Sequence, residues 1–342
     1  MSFAIRTEPG HHSFSVEPGQ TILEAAIQQR IGLPYGCRDG KCGSCTAELL
    51  SGEVDYPSGK THALTGQPLT ACLTCQAVPK SDLVLRVSEL ETAAEINVRN
   101  LPCRIAQKSM LNHDVVRLRL KLPDGQRLQF FAGQYLDFML PDGRRRAFSI
   151  ASAPHDDGLI ELHVRRVPGG EFTDHVFDQL AERSILRIQA PLGTFVLREH
   201  SDRPILFVGG GTGFAPIKAM LEHAFHAGMT RPMQLYWGVR SRRDLYLAEL
   251  PERWAREHGN FSFIPVLSEP DPDWSGRTGY VHEAVAGDHP DIAGYDVYLS
   301  GPPAMVEAGR GTFEAMGLGM DHMFSDAFEY AADSPGRTES GS

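Results

Sequence analysis

Three cysteines in the pattern C-x4-C-x2-C, Cys37, Cys42 and Cys45, followed by Cys75 after an intervening stretch of 29 residues, constrain this chain more than any other feature. Four thiolates at these spacings are what a plant-type 2Fe-2S centre requires. A loop wrapping such a centre must bring backbone N–H groups to its sulfurs, and Gly36, Gly40 and Gly43 supply the freedom for that approach. The alternative is a structural zinc site built from two C-x2-C pairs. Only Cys42/Cys45 and Cys72/Cys75 have that spacing, and Cys37 is then left over. Cys72 competes with Cys75 for the fourth position; the gap length and the flank Leu73-Thr-Cys-Gln76 favour Cys75. Cys103, on an incipient strand, reads as a small buried hydrophobe. Six cysteines could in principle form three disulfides, but a chain of 342 residues needs no such staples, so clustered thiols indicate metal.

Charge and hydropathy narrow the function class. With 33 Lys and Arg against 43 Asp and Glu, the chain lacks the positive field that drives nucleic-acid binding, and no nucleic-acid partner is expected. No run approaches the ~20 apolar residues of a membrane span, so no membrane partner is expected either. The first thirty residues, with Arg6, Glu8, Pro9 and His11, lack the apolar core of a signal peptide. The expected compartment is the cytoplasm.

Periodicity divides the chain into three textures. Ser13–Val16 alternates like a strand, and 21–30 reads as a helix opened by Thr21 with Glu24 three residues on. The cysteine loop follows, then a strand over Leu83–Val87 and a polar stretch from Glu89 to Asn100. From Cys103 to about Leu197 the pattern is all-β, with short runs at 115–120, 134–138, 159–164 and 185–188 between Gly and Pro turns, which predicts a small barrel. Beyond Arg203 the texture becomes strand (204–208), glycine turn (209–213), helix (217–226) and strand (233–238), an α/β pattern with a parallel sheet. Residues 332–342 are rich in Ser, Gly and charge and are expected to be a disordered tail. There is no internal repeat.

The stretch Leu33-Pro-Tyr-Gly-Cys-Arg-Asp-Gly-Lys-Cys-Gly-Ser-Cys45 resembles the cluster loop of plant-type ferredoxin domains fused to flavin reductases, and the resemblance covers nearly the whole chain. Arg146-Ala-Phe-Ser149 is similar to the R-x-[YF]-[ST] motif of the ferredoxin-NADP reductase superfamily. The resemblance implies that Arg146 pairs with flavin phosphate, Phe148 packs against the flavin and Ser149 contacts its ring, roles that suit a bidentate guanidinium, a flat ring and a short hydroxyl. Gln134 and Tyr135 stand upstream as in the family, and Gly169, Gly170 and Thr173 look like its second phosphate contact. FMN members exist, but an N-terminal ferredoxin domain resembles the FAD ones.

Gly209-Gly-Gly-Thr-Gly213, with Gly210, Gly211 and Thr212 between, ends an apolar strand and opens a helix, so its N–H groups make a site for pyrophosphate. It is not G-x-G-x-x-G, since Phe214 stands where the last glycine would. Pro216 suits the first helical turn. After the second strand stand Arg240, Ser241, Arg242 and Arg243, which lean toward tolerance of NADPH, while relatives resembling this stretch include NADH users; the choice stays open. Ser300-Gly301-Pro302-Pro-Ala-Met305 resembles the family's C-G-P-P-x-M turn beside the nicotinamide, with Ser300 in place of cysteine. The stretch 323–330 looks like the segment covering the flavin face, with Phe328 or Tyr330 to stack and Phe324 as readily core.

The fold implied is multidomain, α+β, β-barrel and α/β: a β-grasp ferredoxin domain (1–92), a linker (93–100), a Greek-key FAD barrel (101–199), a parallel NAD(P) domain (200–331) and the tail. The function implied is an NAD(P)H reductase with 2Fe-2S and FAD, in which Ser149, Ser300 and Phe328 border the reacting atoms and no conventional triad operates. The electron-acceptor protein is either a pyridoxamine-phosphate dehydrase, since 32–40 and Gly52-Glu-Val-Asp-Tyr56 resemble the CDP-6-deoxyhexose glucoseen reductases, or a non-haem iron mono- or dioxygenase component. A non-catalytic redox sensor is the third reading.

Overall fold

The computed structural model describes residues 2–41, 43–87 and 97–328, and the chain separates into two compact units. Cys42, Tyr330, residues 93–96 of the expected linker and the expected tail lie outside the described residues.

The first unit comprises the chain up to Val98 together with Gly193–Phe195. Strands β1 (Phe3–Glu8) and β2 (Ser13–Val16) form an antiparallel hairpin. Helix α1 (Ile22–Gln28) opens with a capping box, the Thr21 hydroxyl accepting the Glu24 N–H and the Glu24 carboxylate accepting the Thr21 N–H. Its Ile22, Leu23, Ala25 and Ala26 are buried against Ile5, Phe14, Val16 and Leu85. Then come β3 (Thr46–Ser51), β4 (Val54–Asp55), β5 (Ala71–Leu73), β6 (Val78–Pro79) and β7 (Leu83–Arg86). The main sheet runs β2-β1-β7-β3-β5, with β1 and β7 parallel and the other pairs antiparallel. Strands β3 and β5 fall where the sequence pattern shows only a cysteine loop. Thr-Ala-Glu-Leu-Leu-Ser has no alternation, and its pairing with β7 slips by a residue, so the strand depends on its neighbours rather than on local pattern. Thr194 anchors the distant segment of this unit: its hydroxyl accepts the Tyr35 N–H at 2.8 Å and donates to the Tyr35 carbonyl at 2.9 Å.

The second unit begins with β8 (Arg99–Met110), which takes in the last two residues of the expected linker because Arg99 and Asn100 continue the ladder with Ala190 and Gln189. With β9 (Val115–Lys121), β10 (Tyr135–Met139), β11 (Arg145–Ser149), β12 (Ile160–Arg165) and β13 (Ile185–Leu192) it forms a sheet ordered β11-β10-β13-β8-β9-β12. A bridge between Ile150 and Leu162 joins the two end strands, closing the barrel. The region is not all-β as expected. Helix α2 (Glu171–Asp178) interrupts it, because Phe172 and Val176 share one helical face and bury themselves beside Leu128, Phe138 and Leu162.

The remainder of this unit is α/β: β14 (Ile205–Gly210), α3 (Phe214–His226), β15 (Met233–Val239), α4 (Glu249–Glu257), β16 (Phe261–Leu267), β17 (Arg277–Thr278), α5 (Val281–Asp288), β18 (Asp296–Gly301), α6 (Pro303–Ala315) and β19 (Met323–Ala327). All six strands are parallel in the order β17-β16-β15-β14-β18-β19. The order reverses between β14 and β18, so a crevice opens at their carboxyl ends, where open α/β sheets take ligands.

Candidate functional site

In the first unit the cluster loop leaves α1 and is held open by backbone conformation. Gly40 adopts φ +72° and is packed so closely that any side chain there would run into the Lys60 carbonyl oxygen. Arg38, at φ +57°, joins it in the left-handed region. Gln76 pins the loop, its Nε2 donating to the Arg38 carbonyl at 2.8 Å while its Oε1 accepts the Ser58 hydroxyl at 2.6 Å. Thr74 ties the two ligand segments together, with its N–H and its hydroxyl donating to the Cys45 carbonyl at 3.1 and 3.2 Å.

The sulfurs of Cys45 and Cys75 lie 3.2 Å apart, and the Asp39 N–H donates to Cys37 Sγ at 3.3 Å. The Cys45 thiol and the Gly40 N–H draw the Cys75 thiol below its ordinary range against the effect of burial, while the charge of Cys37 opposes its ionisation from nearby. This is a soft donor set with backbone N–H groups aimed at its sulfurs, and it fits an iron-sulfur centre. Cys72 has a different environment. It is fully buried on β5, its thiol faces the Tyr56 hydroxyl, and burial pushes it up to about 11. Cys103, expected in a core, is buried on β8 and pushed up to about 12 by burial.

On the barrel, the expected flavin residues gather on β10 and β11. Tyr135 is paired in register with Ser149, and Phe138 with Arg146. Arg146 and Phe148 share one face of β11, and Phe148 packs against Phe138 (5.8 Å) and Phe172 (5.7 Å), which places its ring beside α2. Gly170 is the N-cap of α2, and a Cβ there would stand 2.8 Å from Thr173 Oγ1. The Thr173 hydroxyl accepts the Val167 N–H at 3.1 Å, shaping the turn that contains Gly169. Arg144 donates to Glu171 at 2.8 Å, so the β10–β11 hairpin and the start of α2 stand together. A helix start whose backbone N–H groups have no side-chain cap, beside the hairpin that carries Arg146, fits a phosphate-bearing flavin.

In the α/β part, Gly209 and Gly210 end β14, a 3-10 turn covers Gly211–Gly213 including Thr212, and Pro216 lies in the first turn of α3. Gly213 has ordinary helical dihedrals; what it supplies is space, since a side chain would run into the Ser300 carbonyl oxygen. Gly210 abuts Pro302 and Met305, and Gly301 abuts Gly210, so the ends of β14 and β18 meet backbone to backbone. Trp237, which sequence reading passed over, donates its indole N–H to the Gly211 carbonyl at 2.9 Å and stacks on Phe214 at 4.1 Å. By occupying that carbonyl it keeps a negative dipole engaged beside the turn's N–H groups. A glycine turn of this shape fits a pyrophosphate. Arg240 is exposed just past β15. Ser241 is tied up by Asp244, which accepts its N–H at 2.9 Å, and Arg242 lies over Trp274 at 5.5 Å.

Strand β19 brings the two sides together. Ser300 is paired with Asp326, and the Asp326 carboxylate accepts the Ser149 hydroxyl at 3.3 Å. The Phe328 N–H donates to the Gly301 carbonyl at 2.8 Å. Ser149, Ser300 and Phe328, far apart in the chain, are thus linked through β19, Ser149 by the Asp326 carboxylate and the other two by the pairing of β19 with β18. Ser300 is fully buried and its Oγ has no hydrogen-bond partner among the described residues. Asp326 also escaped sequence reading, because a lone aspartate in a short aromatic run carries no local signal.

Comparison with known proteins agrees with this layout. Residues 5–80 match a 2Fe-2S iron-sulfur cluster binding domain, 102–197 an oxidoreductase FAD-binding domain and 207–310 an oxidoreductase NAD-binding domain. The chain is 40% identical over 330 residues to the CDP-6-deoxy-L-threo-D-glycero-4-hexulose-3-dehydrase reductase of Yersinia pestis, covering 96% of this chain and 99% of that one. It is 33% identical to the phenol hydroxylase P5 protein of Acinetobacter pittii, covering 97% and 96%. Among solved structures, the Amycolatopsis cytochrome P450 reductase GcoB is similar with a TM-score of 0.79 at 35% identity, covering 95% of this chain and 98% of that one. Among the described residues no helix is long and apolar enough to cross a membrane.

Proposed function

The chain belongs to the ferredoxin-NADP reductase superfamily, with 2Fe-2S, FAD-binding and NAD-binding domains in one polypeptide, and from that premise we propose that its electrons go to a dehydrase acting on a CDP-linked 6-deoxy-hexulose. As an NAD(P)H oxidoreductase it would hold FAD and a 2Fe-2S centre, which when bound would supply, respectively, the exchange of a hydride for single electrons and an outlet for them. The chain's own residues bind and orient. Cys37, Cys42, Cys45 and Cys75 hold the iron. Arg146 and the turn with Gly169, Gly170 and Thr173 hold flavin phosphates, and Tyr135 and Phe148 line the flavin's bed. Gly209–Gly213 and Pro216 seat the dinucleotide pyrophosphate, with Arg240 beside the adenosine end and Gly301 and Pro302 beside the nicotinamide. Ser149, Ser300 and Phe328 exclude water where the two rings meet. The proposed division is 1–92, 101–199 and 200–331, in keeping with the three domain matches. The proposed location is the cytoplasm, where reducing conditions keep thiols available to iron.

The observation that carries the acceptor assignment is the full-length identity of 40% to the dehydrase reductase, against 32–38% for reductases of phenol, terephthalate and aromatic-ether oxidation. The second reading, a non-haem iron oxygenase acceptor, draws on the phenol and terephthalate relatives in that same run. Reconstitution separates them. NAD(P)H-reduced protein is mixed anaerobically with a CDP-hexulose dehydrase or with a non-haem iron oxygenase, and reoxidation of the cluster is followed with product formation. Reoxidation coupled to deoxysugar formation is expected. Coupled turnover with the oxygenase alone would overturn the assignment.

A further inference from the structure

A single ammonium group connects the flavin side of the second unit to its dinucleotide side. Lys218 stands just past the first turn of α3, the helix opened by the glycine turn. Its side chain is only 9% exposed, a depth at which an unpartnered ammonium strongly destabilises a fold. It donates to the Ala151 carbonyl at 3.0 Å and to Glu222 Oε2 at 2.9 Å, and lies 3.5 Å from Glu161 Oε1. These acceptors come from three places. Glu222 belongs to α3 itself, Glu161 to β12, and Ala151 continues the strand that carries Arg146, Phe148 and Ser149.

Each acceptor is fixed in turn. The Ala151 N–H donates to the Glu161 carbonyl at 2.7 Å. Glu161 also accepts Arg119 Nε at 3.0 Å and lies 3.0 Å from His163 Nε2. His163 Nδ1 meets the Tyr246 hydroxyl at 3.1 Å, and Tyr246 stands edge-on to Trp237, whose indole holds Gly211. The network thus runs from the glycine turn back to the flavin strand through one buried cation.

We propose that Lys218 is a positioning residue for hydride transfer, locking the dinucleotide helix α3 against the flavin strand through Ala151 and Glu161, with Glu222 steadying the ammonium from the same helix. Stability alone does not call for it, since a well-packed apolar group at such a place is often no worse than a buried ion pair. What an apolar group cannot do is hold a backbone carbonyl of one element and carboxylates of two others at fixed distances. Hydride transfer is sensitive to that separation, because a misplacement of about 1 Å costs roughly a hundredfold in rate.

The inference rests on the reductase reading and on neither acceptor assignment. Its test is the reductive half-reaction, which needs no acceptor protein. Wild type, Lys218→Met and Lys218→Arg are compared as flavin-loaded protein. Stopped-flow bleaching of the flavin yields the limiting rate and the apparent Kd for NAD(P)H separately, and deuterium exchange is read over 146–152 and 214–222 in the absence of NAD(P)H. For Lys218→Met the limiting rate per bound flavin is expected to fall roughly tenfold or more while Kd moves less than about threefold, with faster exchange in both segments. Lys218→Arg, which keeps the charge and the donors, is expected to recover most of both. If Lys218→Met does not fold, Lys218→Gln, which keeps a donor for Ala151, is judged by the same readings. An unchanged limiting rate per flavin, or unchanged exchange in both segments, would overturn the proposal.

Discussion

Cys72 and Cys75 are separated by two residues yet stand in opposite environments. Cys75 leaves the sheet edge beside Cys45 and takes an N–H from Gly40, whereas Cys72 points back into the core toward Tyr56. Iron and sulfide content with the low-temperature spin-resonance signal of the reduced protein decides between them: Cys75→Ser is expected to lose the signal and Cys72→Ser to keep it. The reverse result would exchange the two residues' roles. Spacing points toward Cys75, and because both thiols are buried the difference between them is one of neighbours, Cys45 and the Gly40 N–H for Cys75 and the Tyr56 hydroxyl for Cys72. Trp237 and Asp326 show the opposite case, since neither belongs to a motif and each acquires its partner, Gly211 or Ser149, only through distant strands.

Among the elements, the approach of β14 to β18 sets the shape of the dinucleotide crevice. Gly213 is helical in φ and ψ, so alanine would suit its backbone, and the obstacle is the backbone of β18, the Ser300 carbonyl together with the Gly301 nitrogen. Gly213→Ala is therefore expected to cost about 1–3 kcal/mol through overpacking, visible as a lower unfolding temperature, and to weaken NAD(P)H binding in the same variant. Full retention of both would mean that the strands part without consequence. Elements with a strong local period were legible: α1 with its capping box, α3 after its glycines, and β9, β10, β12 and β13 of the barrel, whereas β8 was read only as an incipient strand at Cys103 and β11 not as a strand at all. Helix α2 was not, because eight residues carry little more than two turns of pattern, and its apolar side is complete only against the barrel core.

For the molecule as a whole, the charge network around Glu161 joins barrel to parallel sheet and makes their cohesion depend on pH. Burial alone would raise the Glu161 carboxyl, but its hydrogen bond to His163, the nearby charge of Lys218 and Arg119 together hold it well below the ordinary range. A carboxylate depressed in the folded state binds fewer protons there than when unfolded, so its stabilisation is complete above the unfolded value and is lost as pH falls toward the folded one. The unfolding free energy of wild type is expected to exceed that of Glu161→Gln by on the order of 3 kcal/mol near neutrality, and the gap should close on acidification below about pH 4. A gap that stays constant with pH would assign the loss to packing.

Chemistry that depends on neighbours in the chain was readable in advance. The C-x4-C-x2-C run, the glycine turn after an apolar strand and the R-x-F-S run each place their groups within one loop or one strand, where bond geometry leaves little choice, while Cys75 was read from its spacing alone. The convergence of Ser149, Asp326, Ser300 and Phe328, and of Lys218 with Ala151 and Glu161, had to wait for the folded chain. Those contacts join segments separated by long stretches of sequence, and their distances follow from strand order and register, which no local pattern encodes.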